Sequence, residues 1–173
     1  VRDECIGKGF TFQQFERACR CIRSGGARRK AYVLLKPPFL GEFDAWYDAA
    51  RTIRDVSGSA DSVSLNACNV QGGTLVEDLF RADAYRPAWI WTVLEVLREA
   101  KRIFAGERNV ICDTVAFGTP RGPHNCRRCD DRATGMVRAF SLSQDATALE
   151  GLECRCRGNW LSLIHISEPT RPY

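Results

Sequence analysis

Apolar residues at Phe12, Phe15, Ala18, Cys19 and Ile22 recur at helical spacing, behind a T-x-x-Q capping box of Thr11 and Gln14 and ahead of a Gly25-Gly26 stop. The run AYVLL (31–35) is continuously apolar and too short for a helix, so it predicts a buried strand closed by Lys36-Pro37-Pro38. Phe43, Trp46, Ala49, Ala50 and Ile53 mark a second helix over about 42–56, ended by Gly58. SVSLN (62–66) reads as the next strand, and its loop ACNVQGGT opens a short helix over about 74–81. Pro87 begins a long amphipathic helix to about 104, and VICDTVAF (110–117) is the third strand. Strands separated by helices predict an α/β fold with a parallel sheet and right-handed crossovers. Functional residues in such sheets lie in loops at the carboxyl ends of the strands, here 36–42, 66–74 and 116–126. Three strands are too few to close a barrel.

The pattern changes after Gly122. GPHNCRRCDDR (122–132) sets His124, Cys126 and Cys129 among arginines, and CRC adds Cys154 and Cys156. CxxC followed by CxC is the spacing of a four-thiolate metal site, zinc or an iron–sulfur cluster. A module of this size buries too little apolar area to fold without such a staple. Cys5, Cys19, Cys21, Cys68 and Cys112 read as packed or surface residues, and Trp46, Trp89 and Trp91 as core. Arg121, His124, Arg127 and Arg128 are candidate nucleic-acid contacts, although Asp130, Asp131 and Glu153 dilute the patch. The net charge of +4 permits a polyanionic partner without demonstrating one. Nine cysteines in CxxC and CxC spacings, with no signal peptide and no apolar run long enough to span a membrane, predict a reducing compartment, the cytoplasm.

Five stretches in order, LLKPPFL, SLNACNVQGGTLVE, YRPAWIWTVLEVL, GPHNCRRCD and FSLSQD followed by CRC, resemble the radical S-adenosylmethionine (radical SAM) proteins of archaeosine biosynthesis. The resemblance covers roughly residues 5 to 160. It implies the C-terminal half of a partial (β/α) TIM-like barrel over 1–120, followed by a Cys-rich module over 121–160. It also implies S-adenosylmethionine, a 4Fe-4S cluster, a lysine-modified deazaguanine of the tRNA D-loop as substrate, and a transglycosylase-type archaeosine synthase subunit as partner. The cluster motif CxxxCxxC is absent here. On this reading the chain is a C-terminal fragment of a lyase-type tRNA-modifying enzyme, inactive alone. The alternatives are a zinc-containing nucleic-acid-binding adaptor without catalysis, or a radical SAM enzyme with another substrate.

The resemblance places the cofactor near Lys36, Asn66, Asn69, Gln71 and Gly73. Carboxamides at a strand end can read an adenine edge, and a glycine lets the backbone approach a ligand. The same loop also reads as a capped turn, with Thr74 as N-cap and Glu77 completing the box. Asp113, within the third strand, is a candidate either to line the cavity or to cap a neighbouring loop. Residues 161–173, LSLIHISEPTRPY, resemble the in-frame translation of a sequencing adapter and are expected to pack poorly.

Overall fold

A computed structural model describes residues 6–105 and 108–166; Cys5 and residues 167–173 lie outside them. The capping box forms: Gln14 N donates to Thr11 Oγ1 at 3.1 Å and Thr11 N to Gln14 Oε1 at 2.6 Å. It starts α1 (Phe12–Ser24), in which only Cys19 is buried, so its apolar stripe is largely open to solvent. The chain then alternates through β1 (Lys30–Leu35), α2 (Glu42–Val56), β2 (Ser62–Ala67), α3 (Leu75–Arg81), α4 (Ile90–Ile103) and β3 (Asn109–Cys112). The sheet has the order β1-β2-β3, parallel throughout, with Lys30 opposite Ser62 and Ser62 opposite Asn109. Helical crossovers between consecutive strands impose that direction. Arg29 fixes where β1 and β2 begin: its backbone N and Nε donate to Asp61 Oδ2 at 2.7 and 2.8 Å, and Nη2 to Oδ1 at 2.6 Å.

The core centres on α4. Ile90, Trp91, Thr92, Val93, Leu94, Val96, Leu97 and Ala100 are all buried, so this helix is covered nearly all round rather than on one stripe. Its neighbours are α2, β3 and α5 (Asp130–Ser143), together with a 3-10 turn at Ala146–Leu149. Ala133, Val137, Phe140, Leu149, Leu152 and Trp160 join the same apolar cluster as Val33, Leu65 and Val110. The Cys-rich segment therefore shares the core of the sheet. The last element, α6 (Cys156–Ile166), runs across residue 161; Trp160 is buried and Ile164 packs on the core, while Leu161 and Leu163 are exposed.

Two expectations are corrected here. The third strand stops at Cys112 instead of reaching residue 117, because Asp113 Oδ1 accepts from Val115 N at 3.2 Å and turns the chain. Asp113 is consequently exposed. The half-barrel is replaced by a small open sheet. The outer edge of β3 is occupied by side chains of α5 and its cap: Gln144 accepts from Val110 N at 2.8 Å and donates to Val110 O at 2.9 Å. Ser141 Oγ likewise accepts from Cys112 N at 3.0 Å and donates to Cys112 O at 3.3 Å. Among the described residues no further strand pairs with β3.

Candidate functional site

Cys126 and Cys129 lie in the loop that leads into α5, with Cys129 as its N-cap residue. Cys154 precedes α6, and Cys156 is its first residue. The four sulfurs converge. Sγ separations are 3.8 Å for Cys126–Cys129, 3.5 Å for Cys126–Cys154 and 3.7 Å for Cys129–Cys156. All four sulfurs fall within 4.8 Å of one another. A tetrahedral zinc with Zn–S bonds of about 2.3 Å has an edge of about 3.8 Å. The thiols therefore fit one tetrahedral ion. The four cysteines of a 4Fe-4S cluster each bind a different iron and stand farther apart, so this spacing does not suit a cluster.

Surrounding groups hold the sulfurs in place. Trp91 Nε1 donates to Cys156 Sγ at 3.3 Å, and Asn125 Nδ2 to Cys129 Sγ at 3.4 Å. Asn125 Oδ1 accepts from Trp91 N at 3.3 Å. Asp130 is buried and ties the loop by accepting from Asn125 N at 3.1 Å and Arg127 N at 3.2 Å. Sequence reasoning missed Trp91, Asn125 and Asp130 as parts of the site; the signal was that Asn125 and Asp130 flank the CxxC. The thiols differ in acidity. The backbone N–H of Cys156, helped by the neighbouring thiols, brings Cys154 down to about 7. Burial pushes Cys129 up to about 11 and raises Cys156 as well. A bound dication favours the thiolate form of all four.

The arginines divide into two groups. Arg121 is committed to the fold: Nη2 donates to Glu77 Oε1 at 2.7 Å and Nε to Val70 O at 3.1 Å. Glu77 in turn caps α3, accepting from Gly73 N at 2.8 Å and donating its own N–H to Thr74 Oγ1 at 3.3 Å. Gly73 thus serves the capped turn. Arg127 and Arg128 are exposed and form no ion pair among the described residues, and neither do Arg155 and Arg157. The Arg157 guanidinium lies 5.8 Å from the Trp91 ring centroid, beside the cysteine cluster.

The other candidate residues scatter. A cavity of about 690 Å³ is lined by Lys36 and His124, together with Phe39, Phe80, Asp83, Tyr85 and Arg86 among others. Asn66, Asn69, Gln71 and Gly73 are not on its wall. Lys36 is buried and paired with Glu42, Nζ to Oε1 at 2.5 Å, and the other Glu42 oxygen accepts from Thr92 Oγ1. Asn69 Nδ2 donates to Val115 O at 3.3 Å, while its buried Oδ1 has no hydrogen-bond partner. Gln71 is exposed, and its carbonyl accepts from Thr74 Oγ1 at 2.8 Å. His124 Nδ1 bonds to Gly122 O at 2.8 Å. Burial and the nearby Arg86 and Arg127 lower its basicity, only partly offset by that bond and Asp130.

No known family profile and no solved structure matches the chain. Among curated proteins it is 41% identical over 170 residues to an archaeosine synthase subunit beta of Methanosarcina acetivorans, covering 98% of this chain and 49% of the relative. It is 42% identical over 165 residues to the protein of the same name in Thermococcus kodakarensis, covering 95% of this chain and 51% of the relative. An uncharacterized protein of Methanocaldococcus jannaschii is 30% identical over 169 residues, 96% of this chain and 46% of the relative. The chain spans about half the length of these relatives. They correct the reading as a fragment of a radical SAM lyase: none of the three is named a radical SAM enzyme. Nothing at the site supports S-adenosylmethionine or a 4Fe-4S cluster, and what stands is a likeness to subunits of archaeosine synthase.

Proposed function

We propose that this chain is a zinc-folded, tRNA-contacting part of an archaeosine synthase subunit, an adaptor without catalytic chemistry in the residues described. The observation that carries this reading is the tetrahedron of four sulfurs bordered by arginines free of carboxylate partners. Zinc is the metal of choice, because four thiolates at this spacing close a structural site and leave no open position for chemistry. The ion holds the 122–132 loop against α6 and so presents Arg127, Arg128, Arg155 and Arg157 as one surface to phosphates. Archaeosine is a tRNA nucleoside, and relatives named as one subunit of its synthase support tRNA and a further synthase subunit as partners. No helix among the described residues is long and apolar enough to cross a membrane.

Metal analysis and salt-dependent tRNA binding test this reading. The purified protein should hold one zinc per chain. Cys129→Ser should lose the metal and the tRNA affinity together. Arg127→Ala should keep the metal and bind tRNA more weakly, with the log–log salt slope reduced by about 1. A metal-free wild type, or tRNA affinity unaltered in Cys129→Ser, would reject it.

A further inference from the structure

We propose that the cavity beside the cysteine knuckle receives one unpaired RNA nucleobase, stacked on Phe39. The inference rests on the tRNA-contacting role proposed above and names the part of the RNA that this cavity takes. Its volume of about 690 Å³ lies in the range of small-molecule sites, about 300–1,000 Å³.

Backbone strain converges on this cavity. Of the seven non-glycine residues with positive φ among those described, Lys36 at 54° and Phe39 at 73° line it; Asp83 at 53°, also on its wall, is the ordinary left-handed cap that ends α3. Left-handed backbone is costly for a side chain with a Cβ, and such residues concentrate where a ligand is held. Phe39 gains little packing in return, since it is 67% exposed. Pro37 and Pro38, both buried, stiffen the loop that holds it out. Phe80 and Tyr85 add further aromatic lining.

The charges on the wall favour a base over a phosphate. Lys36 is neutralised by Glu42. Arg86 Nη2 donates to His124 O at 2.8 Å and Nη1 to Pro87 O at 2.9 Å, and its guanidinium lies 4.2 Å from the Trp89 ring centroid. Asp83 is exposed, a carboxylate that accepts N–H groups and repels phosphate. Arg86 has no carboxylate ion pair among the described residues, but its donors are spent on the His124 and Pro87 carbonyls; the exposed cations Arg127 and Arg128 stand outside, on the knuckle. The Arg86 bond to His124, two residues before Cys126, joins the cavity wall to the metal loop. An RNA strand neutralised by Arg127 and Arg128 therefore has a neighbouring hole for a base that has left its stack.

The test uses the metal-loaded protein as its gene encodes it, with a tRNA transcript as the probe. Phe39→Ala should weaken binding about tenfold, the order of one aromatic–base stack. The salt slope should stay unchanged, because a neutral side chain displaces no counterion. Phe39→Trp should restore the affinity. Phe39→Gly separates binding from folding: glycine relieves the positive φ, so the thermal midpoint should hold or rise while tRNA affinity falls. If Phe39→Ala and Phe39→Gly both bind like wild type while Arg127→Ala binds weakly, the base pocket is overturned and the tRNA-contacting role survives. If wild type binds no tRNA, that role fails and the pocket falls with it. A Phe39→Ala protein that loses a protein partner yet keeps its tRNA affinity would make the ring a protein contact and also overturn the proposal.

Discussion

The indole N–H of Trp91 donates to the sulfur of Cys156 across 3.3 Å. One residue lies on the central helix α4, the other at the start of α6. The next residue along α4, Thr92, accepts from Trp160 Nε1 at 2.9 Å, so two consecutive positions hold α6 in place. The metal site is therefore fastened to the most buried helix of the fold.

Trp91→Phe removes that N–H while keeping an aromatic ring in the core. Hydrogen bonds to metal ligands typically contribute 10–100-fold to affinity, and a loss of about tenfold is expected here. Competition with a chromophoric chelator measures it. Unchanged affinity would mean that the bond is incidental to the site.

Lys36 and Glu42 should behave as a buried pair. Lys36→Ala leaves Glu42 uncompensated among Thr92 and Trp89 and should cost about 3–5 kcal/mol in urea unfolding. Lys36→Met combined with Glu42→Gln should cost clearly less than Lys36→Ala alone. Equal losses would show that Glu42 does not depend on Lys36.

Asp61 gives a pH dependence. Its hydrogen bonds from Arg29 hold the carboxyl well below the usual carboxylate range. A carboxyl depressed in the folded state stabilises above its unfolded pKa, about 3.9. That contribution drains away as pH falls through the folded value. Asp61→Asn should thus be less stable than wild type near neutrality, and the gap should narrow steadily below about pH 4. Urea midpoints across pH report it, and a gap independent of pH would contradict the assignment.

Gly122 is where the 113–122 loop doubles back on itself. A Cβ there would lie 2.2 Å from Ala116 O and 2.6 Å from Ala116 C, both backbone atoms that cannot swing aside. Gly122→Ala should cost about 1–3 kcal/mol, read as a thermal midpoint lowered by at least about 2 °C. A wild-type midpoint would show that the loop yields freely.

Local grammar was readable in the sequence. The Thr11–Gln14 box, the AYVLL strand and the CxxC…CxC spacing each depend on neighbours a few residues away, and each forms. β3 was overextended because Val115, Ala116 and Phe117 continue an apolar run, while the turn that ends it depends on one carboxylate, Asp113. The charged residues were harder. Arg121 looks like a free phosphate contact until Glu77, 44 positions earlier, is seen to hold it. The polar dressing of the sulfurs was hidden for the same reason, since Trp91 and Cys156 are 65 positions apart. Motif resemblance led to a radical SAM barrel; the sheet is small and open instead, and the relatives show a likeness to archaeosine synthase subunits.

Gln144 and Ser141 have a consequence for how this protein meets other chains. By bonding both the N–H and C=O of Val110 and of Cys112, they take the place of a neighbouring strand, which none of the described residues supplies. An exposed sheet edge is a template for self-association, and here the β3 side is plugged by two short polar side chains from the protein's own helix. Strand recruitment is thereby made directional: a foreign segment can add to this sheet only alongside β1. Fibrillar stacking needs both sides of a sheet to be available, and the described residues leave open only the β1 side.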